Sequence, residues 1–220
     1  MSAASPARAP LPHEAAEPRR VGRPPDPEKR AAILEAGQRV FLRDGYGAAM
    51  DTVAQEAGVS KQTIYKHFAS KEALFLEIVR TRADRMTAPL VAASEEEDPE
   101  SVLTRLAENF LELLLLEDYG AMLRVMVAAS PQFPGLAEEF YATGPGAALR
   151  RLAAYLAALD TAGRLAVPDP LLAAEQFFGM INGHIQMRAA FGMRRIQDAN
   201  APAERARAGV RLFLRGYAPA

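Results

Sequence analysis

From residue 27 the apolar positions recur at three- and four-residue spacing: Ile33, Ala36 and Val40, interleaved with Leu34, Gly37 and Phe41. That period is the buried face of an amphipathic helix. Asp26-Pro27-Glu28 opens it with a capping residue, a proline at the first position and an acid in the first turn. Asp44-Gly45 closes it. A short helix is expected from about Met50 to Ala57, with Val53, Ala54 and Ala57 inward. Gly58 ends it, since glycine enters the left-handed region cheaply. Ser60 caps a third helix. Its Ile64 and Phe68, four apart, face inward, while Lys61, Gln62, Tyr65 and Lys66 share the outer face. Ser70 caps a fourth helix that carries Leu74, Phe75, Ile78 and Val79 and runs toward Ala93.

Beyond an acidic loop at 95–99, the helical period continues over about 100–117, 119–130, 134–160, 169–191 and 202–217. Pro131, Gly144-Pro145-Gly146, Gly163, Pro168 and Pro202 punctuate it. No sustained apolar/polar alternation occurs, so no strands are expected. The pattern predicts an all-α chain with three parts. Residues 1–25 form a Pro/Ala-rich arm without periodicity, expected to be disordered and ending in the basic run Arg19-Arg20-Val21-Gly22-Arg23-Pro24-Pro25. Residues 26–70 form a small helical head, and residues 71–220 a larger helical domain.

Composition narrows the function. Half the residues are hydrophobic, enough for a sizeable core. The absence of cysteine excludes disulfides and thiolate metal sites and fits a reducing, cytoplasmic setting. Neither a signal peptide nor a membrane span is expected. His13, His67 and His184 have no ligand-spaced partners, so no metal is expected. No nucleophile elbow, P-loop or dinucleotide fingerprint is present, so neither catalytic residues nor cofactors are expected. Charge is uneven: the first 86 residues hold 14 Lys and Arg against 11 Asp and Glu. Three of the four lysines in the chain lie between positions 61 and 71.

A short helix, a glycine turn and a second helix faced with Lys, Gln, Tyr and Lys is the layout of a helix-turn-helix, whose second helix enters the DNA major groove. Lysines neutralise phosphates, Gln can bond adenine, Lys can bond guanine, and Thr or Tyr can reach a phosphate or a thymine methyl. Ser70 and Lys71 place a helix N-terminus beside a cation, which suits a phosphate. On the residues alone a helical hairpin with a basic surface stays open. So does a small-molecule-binding or enzymatic bundle whose basic helix is incidental.

The run Phe41-Leu42-Arg43-Asp44-Gly45-Tyr46, then Met50 through Phe68, then Ser70-Lys71-Glu72-Ala73-Leu74-Phe75, resembles the DNA-binding domain of TetR/AcrR-type bacterial transcriptional regulators over about residues 29–76. The resemblance implies a homodimer on a palindromic operator in double-stranded DNA, usually a repressor. An activator or a ligandless regulator remains the alternative. It assigns DNA contact to Lys61, Gln62, Thr63, Tyr65, Lys66, His67 and Lys71. Arg23 in the basic arm is expected in the minor groove, where narrow A·T tracts attract arginine. One departure stands out. Gly47-Ala48-Ala49 replaces the family's usual Thr or Ser before the second helix, so Asp51 or Thr52 is expected to cap it.

The second half, through Phe133-Pro134-Gly135-Leu136-Ala137-Glu138-Glu139-Phe140-Tyr141 and Gln176-Phe177-Phe178-Gly179-Met180-Ile181-Asn182-Gly183-His184, resembles the effector domain of AefR-like members. Phe110, Met122, Met126, Phe140, Tyr155, Phe178 and Met180 are expected to line a cavity for a small apolar or amphipathic effector, methionine being adaptable to varied guests. Helices 169–191 and 202–217 are expected to pack on their copies as a four-helix bundle. Phe177, Ile181, His184, Arg188, Phe191, Val210, Phe213 and Tyr217 would lie toward the partner, with Gly179 and Gly183 allowing close approach.

Overall fold

In a computed structural model, which describes residues 26–193 and 202–219, the chain folds into helices joined by short loops, with no strand among the described residues. The expectations for the basic arm and for Arg23 lie outside the described residues.

The head is built from α1 (Pro27–Asp44), α2 (Met50–Glu56) and α3 (Lys61–His67). Asp26 starts α1 by accepting the Glu28 amide at 3.1 Å. Gly45 stops it with a φ of 79°, in the region that disfavours a side chain. The expected cap of α2 is corrected: Ala49 occupies the cap position, and no side chain bonds the first-turn amides. The Asp51 carboxylate is turned instead to the Lys61 ammonium, 2.8 Å away. Gly58, at φ 65°, makes the turn into α3, and Ser60 accepts the Thr63 amide at 3.1 Å.

Ser70 caps α4 (Lys71–Ala92) in the same way, accepting the Ala73 amide at 3.0 Å. At 1.5 Å per residue this helix reaches about 33 Å, from the head into the second domain. Phe75 near its start meets Phe41 and Tyr46 edge-on, at 5.5 and 5.3 Å between ring centres. Ile33, Val40, Ile64 and Leu74 complete this buried core. The core does not end with the head. Met122 and Met126 of α6 (Tyr119–Ala129) and Leu136 of α7 (Pro134–Thr143) belong to it. A second core joins α4 to α5 (Pro99–Leu115), α8 (Pro145–Thr161), α9 (Pro170–Asn182) and α11 (Pro202–Gly216).

Two long helices expected from periodicity are each broken. The stretch 134–160 divides at Gly144, with φ and ψ both −97°, as the Gly-Pro-Gly punctuation suggested. The stretch 169–191 divides at Gly183, φ 51°, into α9 and α10 (Ile185–Ala190). Asn182 stitches that break by accepting the Gln186 amide at 3.0 Å.

Close approach also governs where α10 sits. A Cβ added at Gly120 of α6 would overlap the backbone carbonyl of Ala189. A backbone atom cannot rotate aside as a side-chain end can. Gly120→Ala is therefore expected to push α10 off α6 and destabilise the fold by about 1–3 kcal/mol. A thermal melt identical to that of the unsubstituted chain would show that α10 does not pack there in solution.

Candidate nucleic-acid interface and cavity

The outer face of α3 follows from its inner one. Ile64 is fully buried and Phe68 nearly so. In a seven-residue helix of about 10 Å, burying those two turns Lys61, Gln62, Tyr65 and Lys66 to solvent, and all four are exposed. Tyr65 is 45% exposed, with its ring on the same face as the three polar side chains. Thr63 is half-buried, with its hydroxyl 2.9 Å from that of Ser60.

The remaining expected contacts are differently placed. Lys61 is already paired with Asp51, so a phosphate would have to displace an acid, although an exposed pair of this kind holds weakly. His67 is half-buried, and its Nδ1 is enclosed with no hydrogen-bond partner; Nε2 is the atom left for an outside ligand. The Lys71 ammonium lies over the Tyr46 ring, 4.8 Å from its centre, and donates to the Ala48 carbonyl at 3.3 Å. That places its charge beside the Gly47-Ala48-Ala49 loop leading into α2.

The second domain holds a cavity of about 420 Å³, open to solvent on one side, between α4, α5, α6, α7, α8 and α9. Of the residues expected there, Phe110, Met122, Phe140 and Phe178 line it. Phe110 and Phe178 form one wall as an edge-to-face pair 4.9 Å apart. Phe140 also packs on Phe75, so one ring touches both the cavity and the core under the head. Three expectations are corrected. Met126 packs into the core shared with the head, Tyr155 packs in the second core away from the cavity, and Met180 is exposed on the other side of α9.

The periodic pattern did not reveal Arg82 and Leu149, which the structure adds to the cavity wall together with Tyr119, a member of the aromatic and methionine-rich set of the second half. Arg82 and Tyr119 come from different helices, and their side chains meet the cavity only after α4 and α6 pack. Burial pushes the Tyr119 phenol up to about 12, so it stays a neutral hydrogen-bond donor.

The expected partner face also needs correction. Phe177, Ile181, Val210 and Phe213 are buried within the subunit itself. The apolar stripe of α11 is used against the leucine-rich face of α5 and against Phe177 and Ile181 of α9, which need cover from within the same chain. Within the subunit a close helix approach occurs at Gly209 of α11, where a Cβ would overlap the Ile181 side chain. Tyr217 is half-buried and donates to Gln176 at 2.6 Å. His184, Arg188 and Phe191 are exposed, as is Met180. With Leu212 of α11, Met180 and Arg188 border a long groove.

Residues 33–78 match the family description "Bacterial regulatory proteins, tetR family", and residues 101–219 match "AefR-like transcriptional repressor, C-terminal domain". The transcriptional activator FasR of Mycolicibacterium smegmatis is 42% identical over 71 residues, 32% of each chain. A solved structure from Mesorhizobium loti assigned to TetR-family regulators superposes with a TM-score of 0.73 at 30% identity, over 87% of this chain and 98% of that one. The flavonoid-responsive regulator FrrA superposes with a TM-score of 0.68 at 30% identity, over 88% and 99%. Against the first three curated relatives the matches span 32%, 58% and 66% of the relative's length. Among the described residues, no helix is long and apolar enough to cross a membrane.

Proposed function

The chain belongs to the TetR family, with an AefR-like C-terminal domain, and is a DNA-binding transcriptional regulator; from that premise we propose a homodimeric repressor that a small molecule releases from a palindromic operator. The observation that carries the DNA-reading assignment is α3 itself. It is a capped helix that buries Ile64, with Phe68 at its end, and presents Lys61, Gln62, Tyr65 and Lys66 on its exposed face. Major-groove geometry asks a dimer to hold two such helices about 34–36 Å apart.

The effector assignment rests on the cavity. Its size is in the range for small-molecule sites, and its walls are mainly apolar. One structural relative is named for its response to flavonoids, and aromatic walls suit a planar guest of that kind. The α4 helix carries both cavity residues and Phe75 of the head core, so tilting it would move α3. The guest must bind the tilted arrangement better than the DNA-binding one for release to follow. Repression is the sign favoured by the AefR-like match, while FasR bears the name of an activator.

Selection of bound sequences from random duplex DNA tests this reading. An inverted repeat with half-site centres about one helical turn apart is expected. Enrichment of no sequence, or of a single unrepeated half-site, overturns it. Repeating the selected-site titration at several salt concentrations without residues 1–24 tests the arm. Its loss should weaken binding and flatten the salt dependence, and an unchanged slope removes the arm from the interface.

A further inference from the structure

Resting on the effector cavity just proposed, we infer that its guest carries a carboxylate, and that this group competes with Asp118 for Arg82 and so opens a latch to the DNA-reading head. Among the described residues, Arg82 and Glu175 are the charged groups lining the cavity. Glu175 is exposed, whereas the Arg82 side chain is 17% exposed. A sheltered guanidinium among apolar walls leaves a neutral guest's polar group poorly matched. A carboxylate finds a charge-assisted, two-pronged partner there. Tyr119, a neutral donor on the same wall, supplies a further hydrogen bond.

Arg82 is already engaged. It donates to Oδ2 of Asp118, and the same oxygen accepts from Gln38 Nε2 of α1 at 2.7 Å. One carboxylate oxygen thus ties a cavity-wall arginine on α4 to the first helix of the head. The other, Oδ1, is enclosed with no hydrogen-bond partner. Enclosed carboxylate oxygens are usually hydrogen-bonded, so this one has acceptor capacity to spare. Asp118 also stands at the start of α6 without capping it, although aspartate is favoured in that role. The arrangement therefore has a second stable form close by. When a guest's carboxylate takes Arg82, Asp118 becomes an uncompensated, largely sheltered charge. Turning to the uncapped amides of α6 satisfies it and gives up Gln38, so α1 loses this polar tie, while Arg30 still donates to Glu77 of α4 and the apolar core shared with α4 and α6 stays in place.

The test uses the full chain and two matched probes, biphenyl-4-carboxylate and the neutral biphenyl-4-carboxamide, followed by calorimetry and by release of the selected operator duplex. The acid is expected to bind roughly tenfold or more tightly than the amide, and only the acid should release DNA. Arg82→Gln should erase the preference. Asp118→Asn should raise acid affinity roughly tenfold, because Arg82 then has no charged competitor, and should weaken operator binding without any guest. Equal binding of the two probes to the unsubstituted chain overturns this inference and leaves the cavity reading standing. Binding of neither overturns both. A preference that survives Arg82→Gln, or acid affinity unchanged in Asp118→Asn, overturns the competition. The comparison on the unsubstituted chain decides the matter even where a variant's circular dichroism shows that it has not folded.

Discussion

Tyr65→Ala and Lys66→Ala are each expected to remove specific operator binding while leaving the fold intact. Both side chains project from the face of α3 opposite Ile64 and Phe68. Truncating an exposed side chain opens no cavity, whereas Ile64→Ala at a fully buried position would cost about 2–5 kcal/mol of stability. A lost base or phosphate contact costs on the order of 1–3 kcal/mol, or about ten- to a hundredfold in affinity. The two substitutions differ in a measurable way. Removing a lysine that neutralises a phosphate lowers the slope of log affinity against log salt by about one. Removing an uncharged ring leaves that slope alone. Anisotropy titrations at several salt concentrations, with circular dichroism as the folding control, read both effects. Normal affinity in either variant would take that residue out of the interface.

Dimer loss should have an effect at least as large. The apolar side chains that remain exposed on α9 and α11 include Met180 and Leu212, the latter 60% exposed, and both border the same groove. We propose that this face meets its copy across a two-fold axis. Leu212→Arg then places two charges against each other near that axis without touching the subunit's own core. Light scattering is expected to show a folded monomer. Operator affinity should fall at least about a hundredfold, because the second half-site no longer binds at a high effective concentration. A dimer with normal affinity removes this face from consideration. Gly183 is a poorer probe. Its φ of 51° lies in the region that disfavours a side chain, although the Arg205 guanidinium beside it could move aside. A substitution would disturb the fold before it tested the interface.

Much of the head was legible because its signals are local. Asp26, Ser60 and Ser70 cap helices through bonds to amides two or three residues on. Gly45 and Gly58 turn the chain by their own backbone freedom. Once Ile64 and Phe68 are inward, the orientation of Lys61, Gln62, Tyr65 and Lys66 follows from 3.6 residues per turn. The caps of α1, α3 and α4, the all-α class and the polar face of α3 could therefore be read from the order of residues alone.

Competition between helices decided the rest. Helix periodicity marks which side of α9 and α11 is apolar but not which neighbour covers it. The structure spends Phe177, Ile181, Val210 and Phe213 inside the subunit and leaves Met180 and Leu212 outside. Asp51 could have capped α2, but Lys61, ten residues on, offered an opposite charge. Arg82, Asp118 and Gln38 share no spacing that a period could detect, since the bonds joining them cross 36 and 80 residues. Local sequence determines caps, turns and faces because those interactions reach about one helical turn. The cavity, its arginine and its link to the head exist only where distant helices meet, and packing alone sets that.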